Sequence, residues 1–308
     1  MRYFLFLLIF SFFTGFSQQS TPLKLWYNHP AEHFEEALVL GNGKVGATVF
    51  GGMPTDKILL NDITLWSGEP VNPDMNPQAH TFLPQVREAL KREDYKAADS
   101  LIKNIQGKFS ESFAPLGTLL IDFPGNSVSG KYYRELSLDH ATSTITHQTE
   151  DNTITREYFV SHPDKILVIR VHAKKPVSFN IRQNSLLRHT LKVKDGILNL
   201  SGRAPFRALP VYYNPPGVNP IEYHEDRGTA FTSQVKIIAR NGNVVYSDST
   251  VGVNQTTEAL ILVSVATSFN GFDKDPARNG LDEQALAADY LRQASRKTFV
   301  VLKAAHLK

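Results

Sequence analysis

The 308-residue chain has no cysteine, three methionines and two tryptophans. Without cysteine there is no disulfide framework, no thiolate zinc site and no cysteine nucleophile. An excess of one charge is also missing, since 33 Lys and Arg face 30 Asp and Glu, for a formal net charge of +3. The basic residues are scattered, and no basic stripe interleaves with aromatics, which argues against a nucleic-acid binder. Internal repeats and low-complexity tracts are absent. What remains is ordinary for a globular protein: 42% apolar and 20% charged, which argues against wholesale disorder. The length suffices for a sizeable core, in one large all-β domain or two smaller ones.

One compact apolar run stands at the N-terminus. Met1-Arg2 provides a short positive region, Tyr3 to Phe13 is rich in Phe, Leu and Ile, and Thr14-Gly15-Phe16-Ser17 brings small residues before Gln18. A membrane span needs about 20 apolar residues, so residues 1–17 read as a secretory signal cleaved near Ser17. The alternative is an N-terminal anchor, but no cysteine follows to carry a lipid. The mature chain is expected in a periplasm or outside the cell, with no membrane span after signal cleavage.

Strands and turns dominate beyond residue 20. Lys165 to Val171 is apolar on both faces, as a central sandwich strand would be. Asp195-Gly196 and Asn241-Gly242 each separate two β-rich runs and predict hairpins. Ala259 to Val265 reads as a long buried strand. Helical spacing of Leu83, Val86 and Leu90, then Ala98, Leu101, Ile102 and Ile105, predicts one or two inserted helices over 81–106. Good helix formers return over 281–308, with Leu286, Tyr290, Leu291, Val301 and Leu302 available for an apolar stripe. The expected fold is mainly β: a large antiparallel β-supersandwich over 21–275, then a helical linker over 276–308.

Several motifs invite a functional reading and fail on context. Gly41-Asn42-Gly43-Lys44-Val45-Gly46 matches G-x-G-x-x-G, but a β-branched run follows where a dinucleotide site requires a helix. A tight β-turn is the better use. His29 and His33 carry Pro30 inside their spacing and lack the H-E-x-x-H order, so no metal site is expected. Asp273-Lys274-Asp275 resembles a calcium loop, yet Ala277 and Gln284 occupy ligand positions. Glycosidase chemistry needs a carboxylic acid and a carboxylate base. No spacing singles out such a pair. Glu35 and Glu36 read as pointing to opposite faces of a strand, and Glu222, Glu225 and Asp226 lie in a long proline-rich loop. No catalytic residue is nominated.

Aromatic residues are the remaining candidates, because an amphipathic ring can stack on the apolar face of a sugar. Tyr212 and Tyr213 in the loop 203–228, with Arg203 at its start, are the candidate substrate-binding residues. Trp26, Asn61, Asp62 and Trp66 read as a core or interdomain motif.

The stretch from Leu25-Trp26-Tyr27 to Leu65-Trp66-Ser67-Gly68 resembles the opening of family 95 glycoside hydrolases, the α-L-fucosidases, with their family-65-like N-terminal domain. Further resemblance follows in the same order along the chain. Leu83 to Leu90 is similar to that family's inserted helix. Tyr133-Arg134-Glu135-Leu136-Ser137-Leu138-Asp139-His140-Ala141 resembles Y-R-R-x-L-D-L-x-x-A, and Arg156 to Asp164 resembles R-E-x-F-x-S-x-P-D. Gly202-Arg203-Ala204-Pro205 resembles G-x-A-P, and Thr267 to Asp273 is similar as well. Asp62-Ile63 departs from the usual acidic pair, and Thr118 from the Asp of G-D-L. The resemblance implies an inverting enzyme built as a β-supersandwich, a helical linker and an (α/α) barrel, using no metal or cofactor. Some members act on α-L-galactosides. The family's acid and base both come from the barrel, so none carries over to a residue of this chain.

The expectation is therefore the non-catalytic N-terminal domain of a secreted α-L-fucosidase, in a fragment lacking the catalytic barrel. Its partner would be a fucosylated oligosaccharide, met through a barrel in cis or encoded separately. A free-standing carbohydrate-binding or barrel-assisting module is the alternative, and a structural domain that docks a partner is the third reading.

Overall fold

The computed structural model describes residues 22–107, 109–125, 130–213 and 216–308. The expected signal, residues 1–17, lies outside them.

The chain begins with β1 (Lys24–Tyr27), β2 (Leu38–Gly41), β3 (Val45–Val49) and β4 (Thr55–Asp62). The helices α1 (Ala79–Lys91) and α2 (Tyr95–Ile102) are inserted before β5 (Gly117–Asp122). Then follow β6 (Tyr132–Ser137), β7 (Thr142–Gln148), β8 (Thr153–Ser161), β9 (Ile166–Asn184), β10 (His189–Lys194) and β11 (Ile197–Arg203). Two short strands, β12 (Arg207–Ala208) and β13 (Ile221–Glu222), pair within the long loop. β14 (Ala230–Arg240), β15 (Asn243–Tyr246) and β16 (Thr250–Thr267) complete the strands, and α3 (Glu283–Ala294) and α4 (Phe299–His306) close the chain.

Hydrogen bonds join β1, β6, β7, β8, β9, β16, β14, β11 and β10 in that order, while β2, β3, β4 and β5 form a branch that returns to β9. The register explains the branch. Residues 166–173 of β9 pair with β8 and with the second half of β16; residues 177–184 pair with β5 and the first half of β16. Both long strands therefore run through two layers. Their pairing slips between Val253 and Glu258, where Gln255 takes a φ of 54°. The buried Thr256 hydroxyl sits 2.7 Å from the carbonyls of both Arg240 and Glu258. A bulge of this kind bends a strand and raises its twist.

Period-two alternation distributes the apolar residues. Leu167, Ile169, Val171, Ile261 and Val263 face the core between the layers, with Leu60, Leu119 and Ile121 of the other layer in the same cluster. Ile166, Val168, Leu260 and Leu262 point the other way, onto Leu291 and Ala294 of α3 and Leu302 of α4. The central strands are apolar on both faces because helices cover the second one. Full burial of each such side chain contributes about 1.5–3 kcal/mol. Asp282 and Thr298 cap the two helices, accepting from the amides of Ala285 and Val301.

Two local readings are corrected. The Asn241-Gly242 turn has both residues at positive φ, as a hairpin turn requires. Yet β15 pairs with β16, not with β14, so the turn carries the chain from one layer into the other. Glu35 and Glu36 lie on a single 3-10 turn, Phe34–Glu36, not a strand. There the Glu36 carboxylate accepts from the amide of Glu32 at 2.8 Å, and this bond pulls its pKa below the usual range.

A charged pair sits inside the core. Asp56 of β4 and Arg156 of β8 meet at 2.8 Å, both side chains fully buried. Tyr158 donates to the same carboxylate, and Arg156 also donates to the carbonyls of Gly51 and Gly52. Arg134 of β6, likewise buried, donates to the carbonyls of His29 and Glu36 at 2.8 and 2.7 Å, which anchors the irregular segment before β2. Truncating one partner of a buried ion pair strands the other charge. Asp56→Ala is expected to destabilise the domain by about 3–5 kcal/mol in urea unfolding; a loss near zero would show that the pair is dispensable.

His147 of β7 is fully buried, and neither ring nitrogen has a partner among the described residues. Burial first, and the nearby Arg156 charge second, push its pKa down to about 3. The unfolded chain takes up this proton near pH 6.5 and the folded one only near pH 3. Stability is thus full above pH 6.5 and falls on acidification through that window, by about 1.4 kcal/mol per pH unit for one proton. A His147→Leu variant is expected to lose this part of the slope in denaturation curves taken from pH 7 to 4.

Candidate functional site

Four connections meet at one end of the sandwich: residues 63–70 after β4, 109–116 before β5, 203–229 around β12 and β13, and 267–276 after β16. Backbone polar groups must find partners wherever chain is buried, and here they find each other. The Ser67 amide donates to the Ser112 carbonyl at 2.9 Å, and the Gly68 amide to the Pro205 carbonyl at 3.1 Å. The Ser112 hydroxyl donates to the Ala208 carbonyl. Asp62, fully buried, accepts from the Thr64 amide and hydroxyl at 3.0 and 2.6 Å. The Thr64 hydroxyl lies 2.6 Å from that of Thr267, which ties the first connection to the last.

These loops enclose two adjoining clefts. The smaller, about 120 Å³, is lined by Trp66, Phe269 and Phe272 together with Ser67, Glu69 and Lys274. The larger, about 940 Å³, is lined by Phe109, Phe206, Glu111, Arg207, Glu222 and Arg227, among others. Glu69 and Pro70 belong to both. Trp66 meets Phe113 edge-on at 5.5 Å, and Phe109 lies 4.6 Å from Tyr213 and 6.2 Å from Tyr212.

Of the four carboxylates lining the groove, three are engaged, and Asp74 has no ion-pair partner among the described residues. Glu69 bonds to Arg227 and Glu222 to Arg207, while Ser67 donates to Glu111 at 2.5 Å. The bond from Glu69 holds the Arg227 guanidinium above its ordinary pKa, and the same group lies 4.0 Å over the Phe206 ring. A general acid needs a carboxyl pKa raised by burial or a like charge. The carboxyl groups shifted in this protein, those of Glu36, Asp122, Glu135 and Asp151, all move down. Among the described residues no group of His, Asp or Glu could hold a metal ion, and no helix is long and apolar enough to cross a membrane.

Of the residues singled out in the sequence, Trp66 lines the smaller cleft, while Tyr212 and Tyr213 line neither and stand against Phe109 of the larger one. Arg203 does not line it; its guanidinium donates to the Gly228 carbonyl at 2.8 Å and holds the loop. Trp26 is on the edge strand β1, stacked on Tyr133 and 58% exposed. Asn61 is half-buried on β4 beside the buried Asp62. Sequence reasoning missed Glu69, Phe109, Phe206, Arg227 and Phe272 as groove residues. They are far apart in the chain and carry no mutual spacing.

The model of the glycosyl hydrolase family 65 N-terminal domain matches residues 25–271. This chain belongs to that family. The family's domain aligns with nearly the whole length of the sandwich and ends within the last loop of the groove. Alpha-L-fucosidase 2 of Arabidopsis thaliana is 26% identical over 94% of the chain, which covers 35% of that protein. “Probable alpha-fucosidase A” of Aspergillus niger is 25% identical over 92% of the chain, with 36% of that protein covered. The chain thus spans about a third of the length of these relatives. Among solved structures, “Putative kojibiose phosphorylase from human microbiome” superposes with a TM-score of 0.52 over 94% of this chain and 37% of that one, at 12% identity. At that identity the likeness is one of fold.

The family motifs acquire structural roles. In Arg156 to Asp164, successive side chains serve opposite faces. Arg156 enters the core, Glu157 pairs with Lys303 of α4, and Phe159 packs against Phe299 and His306. Ser161 donates to Asp164, which pairs with Lys297. Gly68 is constrained by its surroundings: at a φ of 91°, an added Cβ would lie 2.3 Å from Glu111 Cγ. Gly68→Ala is expected to displace Glu111 from Ser67 and cost about 1–3 kcal/mol, read as a lowered thermal midpoint; an unchanged midpoint would show the loop to be pliable.

Proposed function

We infer that this chain is the non-catalytic β-domain of a secreted, family 95 type α-L-fucosidase acting on fucosylated glycans. The observation that carries this reading is the alignment of more than nine-tenths of the chain with fucosidases of which it spans about a third. The groove supports it from the chemical side. Its Glu69 and Glu222 are taken up by Arg227 and Arg207, and inverting hydrolysis demands one free base and one protonated acid, about 6.5–9.5 Å apart. The domain's work is then scaffolding, with α3 and α4 docked on the sheet and aromatic loops at one end. The acid and base belong to a catalytic barrel outside these residues. The short apolar run over residues 3–13 supports export, to a periplasm or beyond the cell.

Purified chain 1–308 is expected to release no fucose from 2′-fucosyllactose above the buffer blank. Release at turnover numbers of about 1 s⁻¹ or more, the ordinary range of enzymes, would overturn the assignment of the acid and base to another domain.

A further inference from the structure

We propose that the two adjoining clefts form a binding site for an uncharged oligosaccharide, gripped by Trp66 and Phe272 of the smaller cleft and Phe109 and Phe206 of the larger. The choice of ligand class rests on the glycosidase reading; the site itself rests on geometry. Phe272 is 88% exposed, and Trp66 and Phe109 are each more than two-fifths exposed. These rings line the walls of the clefts. Trp66 Nε1 donates to the Ile63 carbonyl at 2.9 Å, which satisfies its polar edge and fixes the ring.

Polar chemistry between the rings suits a polyol. Glu69–Arg227 stands where the clefts join, and Glu222–Arg207 lies in the larger one. An ion pair offers guanidinium donors beside carboxylate acceptors, and sugar hydroxyls both donate and accept. Arg207 and Arg227 are each paired to a carboxylate and are not free cations for an anionic glycan, and the lining groups without an ion pair include both signs, Lys274 against Asp74. The larger cleft, about 940 Å³, lies at the upper end of the usual range for a ligand pocket, about 300–1,000 Å³, which is room for a short sugar chain.

The two tryptophans provide the test, because Trp66 is in the groove and Trp26 is on the far edge strand. In a Trp26→Phe variant, Trp66 emission is titrated with a neutral fucosylated tetrasaccharide, a neutral galactose tetramer and a sulfated counterpart. We expect a saturable change with at least one neutral chain and little with the sulfated one. Phe272→Ala and Phe109→Ala should each weaken binding about tenfold, the loss of one aromatic contact, with thermal midpoints unchanged. No saturable change with either neutral chain overturns the site, and equal or tighter binding of the sulfated chain overturns the ligand class. Fucose release bears only on the preceding reading, so the two can fail separately.

Discussion

Two strands hold this domain together because each takes part in both of its layers. β9 and β16 run side by side through one layer, bend where their register slips, and continue side by side through the other. A shared pair of strands sets the relative placement of the layers through covalent chain and ladder hydrogen bonds rather than side-chain packing alone. The bend must then satisfy its own polar groups, which is the role of Thr256, and must accept a left-handed residue, which Gln255 supplies. Everything at the ends of the sheet, including the groove, inherits its position from this arrangement.

A charged cluster at the heart of an apolar core follows from the same geometry. Asp56 and Arg156 come from different layers, and the pair reaches from one to the other. Its desolvation is costly, and hydrogen bonds from Tyr158 and to the carbonyls of Gly51 and Gly52 offset part of that cost. Such a pair is weak evidence for added stability, but a strong constraint on which strands face each other. His147, buried nearby without a hydrogen-bond partner among the described residues, is held neutral by the same surroundings.

The groove is built differently. It consists of loops whose backbones bond to one another and whose charged side chains pair across loop boundaries, as in Glu69–Arg227 between residues far apart in sequence. Rigid loops on a sheet scaffold are a common place for recognition. Exposed rings in the cleft walls, with ion pairs between them, are suited to the proposed binding of a sugar chain.

The sequence by itself determined the class of fold, the two helical inserts and the family. Alternation and turn residues act over a few positions and are written locally: Asp195-Gly196 turns β10 into β11, and both apolar faces of Lys165 to Val171 are used. Local signals could also be incomplete. Asn241-Gly242 encodes a turn, but whether β15 would join β14 or β16 depended on the bend of a strand that comes later in the chain. Tertiary structure alone decided that Arg156 faces Asp56, that Trp66 meets Phe113, and that Arg227 closes on Glu69. Those contacts join residues from separate elements, and no periodicity along the chain records which separate elements will meet.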